Sequence, residues 1–418
     1  MTATDRPDPV HCAVRSVYAY AFDVAETGVD AMADHLRGSG FNGLTLALSY
    51  HAGKFLRPQS RSSAVVFPQD GVVYFDPDRA RYGELTPQPH SEAAVRSVAR
   101  AWQDSVATQG LALHAWTVLL HNSRLGALHP QYTARNALGD GYVYSLCPSH
   151  AAVREYAVAL CADIARLEPA SLVLETPGWL PYAHGYHHEF AQVRSNPWLE
   201  QQLGLCFCPA CVRLGQARGL DAPALRARTA QRIQRYLHAP VDAPADMAQA
   251  WLQADLVADP ELAAWHRLRQ ETVTALVADI RAALPARVAL GVIPSVQRPS
   301  SLAYLEGSDW AALARTADWV EVPFYEPDAA RVAADAWDVC CRVGEDAVRQ
   351  RRVRAILRPG PPDLGDGREV AQALEALAQA GIADVSFYNH GLLRAAHWQR
   401  LAATLRGHAP ATVLGVSP

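Results

Sequence analysis

Hydrophobic and polar positions alternate along this chain in a repeating pattern: a short run of β-branched or apolar residues, then a longer stretch with helical spacing. Eight such runs predict strands, at 16–22, 43–49, 112–119, 171–174, 287–293, 319–323, 353–357 and 384–388. Helical periodicity predicts helices near 29–37, 93–109, 151–167, 262–284, 329–349, 368–380 and 393–405. Eight alternations of strand and helix close a parallel barrel, whereas an open doubly wound sheet usually stops at five or six strands. The expected fold is therefore α/β, a (β/α)8 TIM barrel that takes residues 1–418 as one domain.

Two segments exceed the minimal repeat. Within 52–90, the runs 64–67 and 72–75 flank Pro68-Gln69-Asp70-Gly71 and predict a β-hairpin inserted after strand two. The stretch 176–261, after strand four, carries three cysteines and then arginine- and alanine-rich helical sequence. Both follow a strand, so both belong to the barrel face on which active sites are built.

Composition narrows the chemistry. Half of the 418 residues are hydrophobic and the net charge is −4 with signs interspersed, so neither a nucleic acid nor an anionic membrane is an expected partner. No uncharged apolar run reaches the ~18 residues of a membrane span. The first ten residues are polar, without a basic stretch leading into an apolar one, and predict a cytoplasmic protein. No Gly-x-Gly-x-x-Gly or P-loop stands at a predicted strand-to-helix turn, so no organic cofactor is expected. Lys54 is the only lysine, which restricts any Schiff-base chemistry to that residue. An oligomer is compatible with all of this.

Eight cysteines in a reducing compartment are not expected to form a disulfide framework, so their spacing matters more than their number. Cys206-Phe207-Cys208-Pro209-Ala210-Cys211 packs three thiols into six residues, the density of a tetrahedral thiolate site. Cys147, in Cys147-Pro148-Ser149 after strand three, is the expected fourth ligand, with His150, His187 or His188 as substitutes. Four sulfur ligands leave no open coordination position, so the site would hold a structural zinc that clips a long loop to its neighbour. Cys12, Cys161, Cys340 and Cys341 are read as small hydrophobes.

Taken together, Cys-Pro-Ser opening a helix, Arg154 and Tyr156 soon after, Glu175 ending strand four, and Cys-x-Cys-x-x-Cys downstream resemble the catalytic barrel domain of family 42 β-galactosidases. The resemblance is specific over about 142–213 and weaker over the rest of the barrel order. It implies a glycosidase in which four cysteines bind a structural zinc and the glutamate after strand four is the general acid/base. The chain departs from the family in having Leu174 where an asparagine precedes the acid/base. It also reads Ile356-Leu357-Arg358-Pro359 where strand seven ends on the nucleophilic glutamate.

The residues themselves point the same way. Glycoside hydrolysis needs two carboxyl groups facing one anomeric carbon. Glu175 follows Leu172-Val173-Leu174 and precedes Thr176-Pro177-Gly178-Trp179, a setting that would raise its pKa as a general acid requires. A solvated strand-end glutamate would read the same way. Glu321 stands inside an apolar strand and is the candidate nucleophile of a retaining mechanism; pairing with Arg354 or Arg358 as a structural ion pair is the equal alternative. Glu326 and Asp23 are held in reserve. Strand-end residues Tyr50, His51, Trp116, His121, Asn122, Trp179, Tyr325, Arg358, Asn389 and His390 suit a small carbohydrate substrate, by hydrogen bonding or by stacking on its C–H faces. Two other functions stay open: a carbohydrate-binding barrel without hydrolysis, and a metal-dependent hydrolase or lyase built on His184–His188.

Overall fold

In the computed structural model, residues 13–106, 109–183 and 190–407 are described. Eight parallel strands close a barrel: β1 (Arg15–Ala19), β2 (Gly43–Tyr50), β3 (Ala112–Val118), β4 (Ser171–Glu175), β5 (Ala289–Val292), β6 (Trp319–Pro323), β7 (Val353–Leu357) and β8 (Val385–Phe387). Closure is direct, since β1 pairs with β2 on one side and with β8 on the other. The fold is a (β/α)8 TIM barrel. β2 is buried at every position, as expected of a strand covered on one face by helices and on the other by the barrel interior. The surrounding helices bury one stripe each: Ala93–Ser105 turns Val95, Val98, Ala99 and Trp102 inward, and Ala329–Val343 turns in Val332, Ala336, Val339 and Val343.

Several boundaries differ from the sequence reading. The first strand stops early because Ala21–Thr27 is helical. The stretch 329–349 is two helices, Ala329–Val343 and Glu345–Arg349, divided at Gly344, whose φ of 90° needs a residue without a Cβ. The insertion after β2 contains a hairpin, but between Phe55–Leu56 and Val65–Val66. Val72–Val73 instead folds back antiparallel onto Ser49 and Tyr50 at the end of β2. A second hairpin, Thr133–Arg135 with Gly141–Leu146, was not expected and leads directly into Cys147.

After β4 the chain builds helices Pro197–Gly204, Pro209–Ala217, Ala222–His238 and Ala245–Ala258 before Pro260–Ala283 returns to β5. These enclose a separate apolar core, with Trp179, Trp198, Phe207 and Trp265 among its larger members. The histidine segment 184–189 and Cys12 lie outside the described residues. Among the described residues no helix is long and apolar enough to cross a membrane.

The barrel interior is polar in places. Ser16 Oγ lies 2.6 Å from Thr45 Oγ1 and donates to Ser386 Oγ at 3.1 Å, and His114 Nδ1 lies 2.7 Å from Ser171 Oγ. Gly291 makes room for the Trp319 indole: a Cβ there would stand 2.5 Å from the ring. The ring cannot retreat freely, because its N–H donates to Glu321 and Arg354 lies 3.5 Å over its face. Gly291→Ala should therefore cost about 1–3 kcal/mol of stability by overpacking; a urea midpoint equal to wild type would show that the interior has slack there.

Candidate active site at the barrel mouth

Glu175 ends β4, and register places Trp116 of β3 beside Val173, two residues earlier on the same face. From there the Trp116 indole N–H reaches Glu175 Oε2 at 2.5 Å. Glu175 keeps some exposure at the open end of the barrel, yet the atoms packed around its carboxyl push its pKa up to about 7, against the lowering effect of the indole bond. The carboxyl thus holds its proton near neutrality.

The residue after it is strained. Thr176 has a φ of 53°, uncommon for any side chain and an outlier for a β-branched one. Backbone bonds from Leu119 N to Glu175 O (3.0 Å) and from Leu120 N to Thr176 O (3.2 Å) hold the turn, and Trp179 N donates to Glu306 O at 3.1 Å. Gly178 permits that approach, since its Cβ would fall 2.0 Å from Glu306 O. Such strain persists only where surrounding contacts over-determine it, and it clusters at functional sites.

Aromatic rings line the interior around Glu175. Trp116 packs against Tyr18 (5.1 Å between centroids), Tyr50 (5.1 Å), Tyr20 (5.6 Å) and Tyr388 (5.9 Å). The hydroxyls of Tyr20 and Tyr388 are 2.9 Å apart, and Tyr20 donates to Tyr50 at 3.3 Å. Tyr325 lies 5.7 Å from Tyr388, with the Arg358 guanidinium 4.5 Å over its face. Of these residues, Tyr50, Trp116, Tyr325 and Arg358 were expected from the sequence. Tyr18, Tyr20 and Tyr388 were not; the alternating tyrosines of strand one, Tyr18 and Tyr20, were the available signal.

Glu321 lies inside the barrel, 1% exposed. Its Oε1 accepts from the Tyr18 hydroxyl (2.9 Å) and from Ser386 Oγ (2.8 Å), and its Oε2 accepts from the Trp319 indole (2.9 Å). Arg354, its register partner on β7, caps the same Trp319. Neither Arg354 nor Arg358 forms an ion pair with Glu321 among the described residues, and Arg358 instead bonds Asp363.

The remaining expected residues are dispersed. His51 stacks between Tyr50 (4.3 Å) and His121 (3.8 Å) at the rim. Asn122 is buried and caps helix Ser123–Leu128 by accepting from Leu125 N. Trp179 offers no open face: it is 1% exposed, packed in the insertion's core under Arg269. Asn389 Oδ1 accepts from Gly391 N. His390 turns away to Trp398 and His35, lining a cleft of about 340 Å³ that also holds Asp23, itself ion-paired to Arg57. Glu326 is buried against Arg331 in a different cleft. The two reserve carboxylates therefore do not join Glu175.

Cys147, Cys206, Cys208 and Cys211 converge, buried, with their sulfurs within 4.8 Å of one another. Sulfurs of Cys211, Cys208 and Cys206 stand 3.5, 3.6 and 3.9 Å from that of Cys147. Arg135 N donates to Cys206 Sγ, and Cys211 N donates to Cys208 Sγ, so backbone N–H groups face two of the four sulfurs.

No family model matches the sequence, nor does any curated protein. Among solved structures, the chain superimposes on the catalytic domain of a β-amylase from Paenibacillus polymyxa, with a TM-score of 0.53 and 9% identity over 95% of this chain and 99% of that one. It also matches α-L-fucosidase isoenzyme 2 from Paenibacillus thiaminolyticus, with a TM-score of 0.50 and 11% identity over 94% of this chain and 49% of that one, so it spans about half the fucosidase's length. These likenesses establish a shared fold.

Ionisation of Glu175 beside an indole should be visible in tryptophan emission. The difference between wild type and Glu175→Gln is expected to titrate with a midpoint of about 7. A midpoint near the ordinary ~4.3 of a glutamate would mean that the carboxyl is solvated.

Proposed function

We propose that the protein is a glycoside hydrolase in which Glu175 protonates the departing glycosidic oxygen. One observation carries this reading: a carboxyl that keeps its proton to about pH 7, oriented by an indole N–H at the C-terminal end of β4, on the barrel face where catalytic side chains gather. Tyr325 and Tyr388, the partly exposed rings of the cluster, suit the C–H faces of a sugar, and their hydroxyls suit its polar edges. A β-amylase and an α-L-fucosidase share the fold, which supports the reading without fixing the sugar.

Glu321 is the second carboxylate of the proposal. Both its oxygens are engaged, so we assign it a fixed negative charge beneath the bound sugar, which favours the cationic character of an oxocarbenium-like transition state. That role replaces the direct attack expected from sequence. Water completes the reaction, giving its hydroxyl to the anomeric carbon and returning a proton to Glu175.

The four cysteines are proposed to hold one structural zinc. A tetrahedron with zinc–sulfur bonds of ~2.3 Å has sulfur–sulfur edges of about 3.8 Å, and the three distances from Cys147 scatter around that value. Zinc there would pin the loop after β3 to the insertion after β4, leaving no coordination site for chemistry.

Three outcomes follow. Glu175→Gln should lower turnover of an aryl glycoside about 10²- to 10⁴-fold with substrate binding retained; unchanged turnover would contradict hydrolysis at Glu175. Wild-type activity should fall as pH rises through about 7, because the proton on Glu175 is the one donated; a rate that climbs through that pH would assign the carboxyl a base's role instead. Metal analysis should find one zinc per chain, absent from Cys208→Ala, and that variant should melt ~5 °C or more below wild type. Full metal content in Cys208→Ala would remove the site.

A further inference from the structure

Beyond Tyr325 and Tyr388 from Glu175, the end of β7 carries an uneven set of charges. Asp363, 3% exposed, is the one carboxylate between two guanidiniums: Arg358 Nε bonds its Oδ2 at 2.5 Å, and Arg298 Nη1 lies 3.5 Å from its Oδ1. Arg298 gives its other contact to a main-chain oxygen, that of Tyr325 at 2.7 Å, which adds no charge. One positive charge is left over.

The unspent donor is on Arg358. Its Nε is taken by Asp363 and its face rests on the Tyr325 ring, while its Nη2 is buried without a hydrogen-bond partner. A buried N–H of a charged group without an acceptor costs ~1–3 kcal/mol or more, so the position favours whatever supplies one. Burial raises the pKa values of Tyr325 and Tyr388, with smaller opposing effects from Arg358, which lowers them, and Glu175, which raises them; guanidinium and carboxyl thus flank the same two rings. Glu321, deeper in the barrel, has Arg354 as its register partner over the Trp319 ring that bonds it, so the two offset each other. Glu175 itself is largely neutral below about pH 7, and so is Glu306, a second buried carboxyl near it, which burial raises to about 7 while Ser295 and the Val296 N–H bond it. Neither cancels the excess charge under those conditions.

We propose that the sugar received at the barrel mouth is monoanionic, a uronic acid whose carboxylate accepts from Arg358 Nη2. The proposal rests on the glycosidase reading of the same opening and names its substrate class. A single surplus charge matches a carboxylate or a sulfate ester better than a doubly charged phosphate. The carboxylate is the committed form because its plane can align with the guanidinium.

The test uses the full chain, as wild type, Arg358→Gln, Arg358→Lys and Glu175→Gln. Turnover is measured on nitrophenyl glucuronide and galacturonide, on the neutral glucoside and galactoside, and on their 6-sulfates; calorimetry measures binding of free glucuronate, galacturonate, glucose and galactose. Expected is a kcat/KM for a uronide ~10-fold or more above its neutral counterpart. Arg358→Gln, assayed below a melting temperature that falls because buried Asp363 loses its partner, should erase that preference in the ratio of kcat/KM values, and Arg358→Lys, which keeps the charge, should restore part of it. Equal handling of charged and neutral sugars by wild type, or equal losses for both in Arg358→Gln, would overturn the proposal. Preference for a 6-sulfate over the uronide would overturn the carboxylate assignment. Cleavage dependent on Glu175 but indifferent to charge would leave the glycosidase reading standing and this inference refuted. Uronate binding that needs Arg358, with no glycoside cleaved, would do the reverse.

Discussion

A carboxylate on the axis of a barrel is costly unless every oxygen finds a donor, and Glu321 meets that condition with side chains from three strands. Tyr18 comes from β1, Ser386 from β8 and Trp319 from β6 itself. Because β1 and β8 are the pair that closes the barrel, the donors that satisfy Glu321 also tie the seam. The arrangement separates two levels. The lower one is polar, with both oxygens of Glu321 bonded; the upper one, where Trp116, Tyr20, Tyr50 and Tyr388 crowd together, surrounds Glu175 with rings rather than with donors. Two glutamates of one barrel thereby acquire opposite characters: Glu321 is held by three hydrogen bonds, and Glu175, with a single indole bond, has its pKa raised by burial.

The insertion after β4 is coupled to this upper level through the backbone. Glu175 leads into Thr176 in its left-handed conformation, then to Gly178 and Trp179, which are pressed against Glu306 of the loop after β5 and against Arg269 of the long returning helix. The same core contains Phe207, stacked on Trp265 at 5.1 Å, and the four cysteines. A clip at the sulfurs would therefore brace the far side of the layer whose near side fixes the direction of Glu175, which is a reason to build a metal site away from the chemistry.

Legibility from sequence followed the physics of each feature. The strand count was readable because parallel strands buried on both faces are near-continuous apolar runs, as β2 is. The cysteine convergence was readable because a thiolate site concentrates its signal in a few positions, and Cys147 was found by its place on the same barrel end. The place of Glu175 at the end of an apolar strand was legible from the run before it. Trp179 was misleading, since an aromatic beside a strand end serves packing as readily as stacking, and only the insertion's separate core decides between them. Periodicity could not show that Asn122 and Asn389 hold turns by their own side chains, or that Tyr18, Tyr20 and Tyr388 meet at the closing seam, from strands at opposite ends of the chain. Contacts of that kind arise from closure, which no local pattern encodes.

Where a sugar binds decides whether Glu175 is the reaction centre. Crystals of Glu175→Gln soaked with an intact glycoside should show it in the aromatic opening, its glycosidic oxygen within hydrogen-bond distance of the residue-175 amide. A glycoside found instead in the cleft of Asp23 and His390, with the opening above Trp116 empty, would contradict the claim that this mouth is the reaction centre.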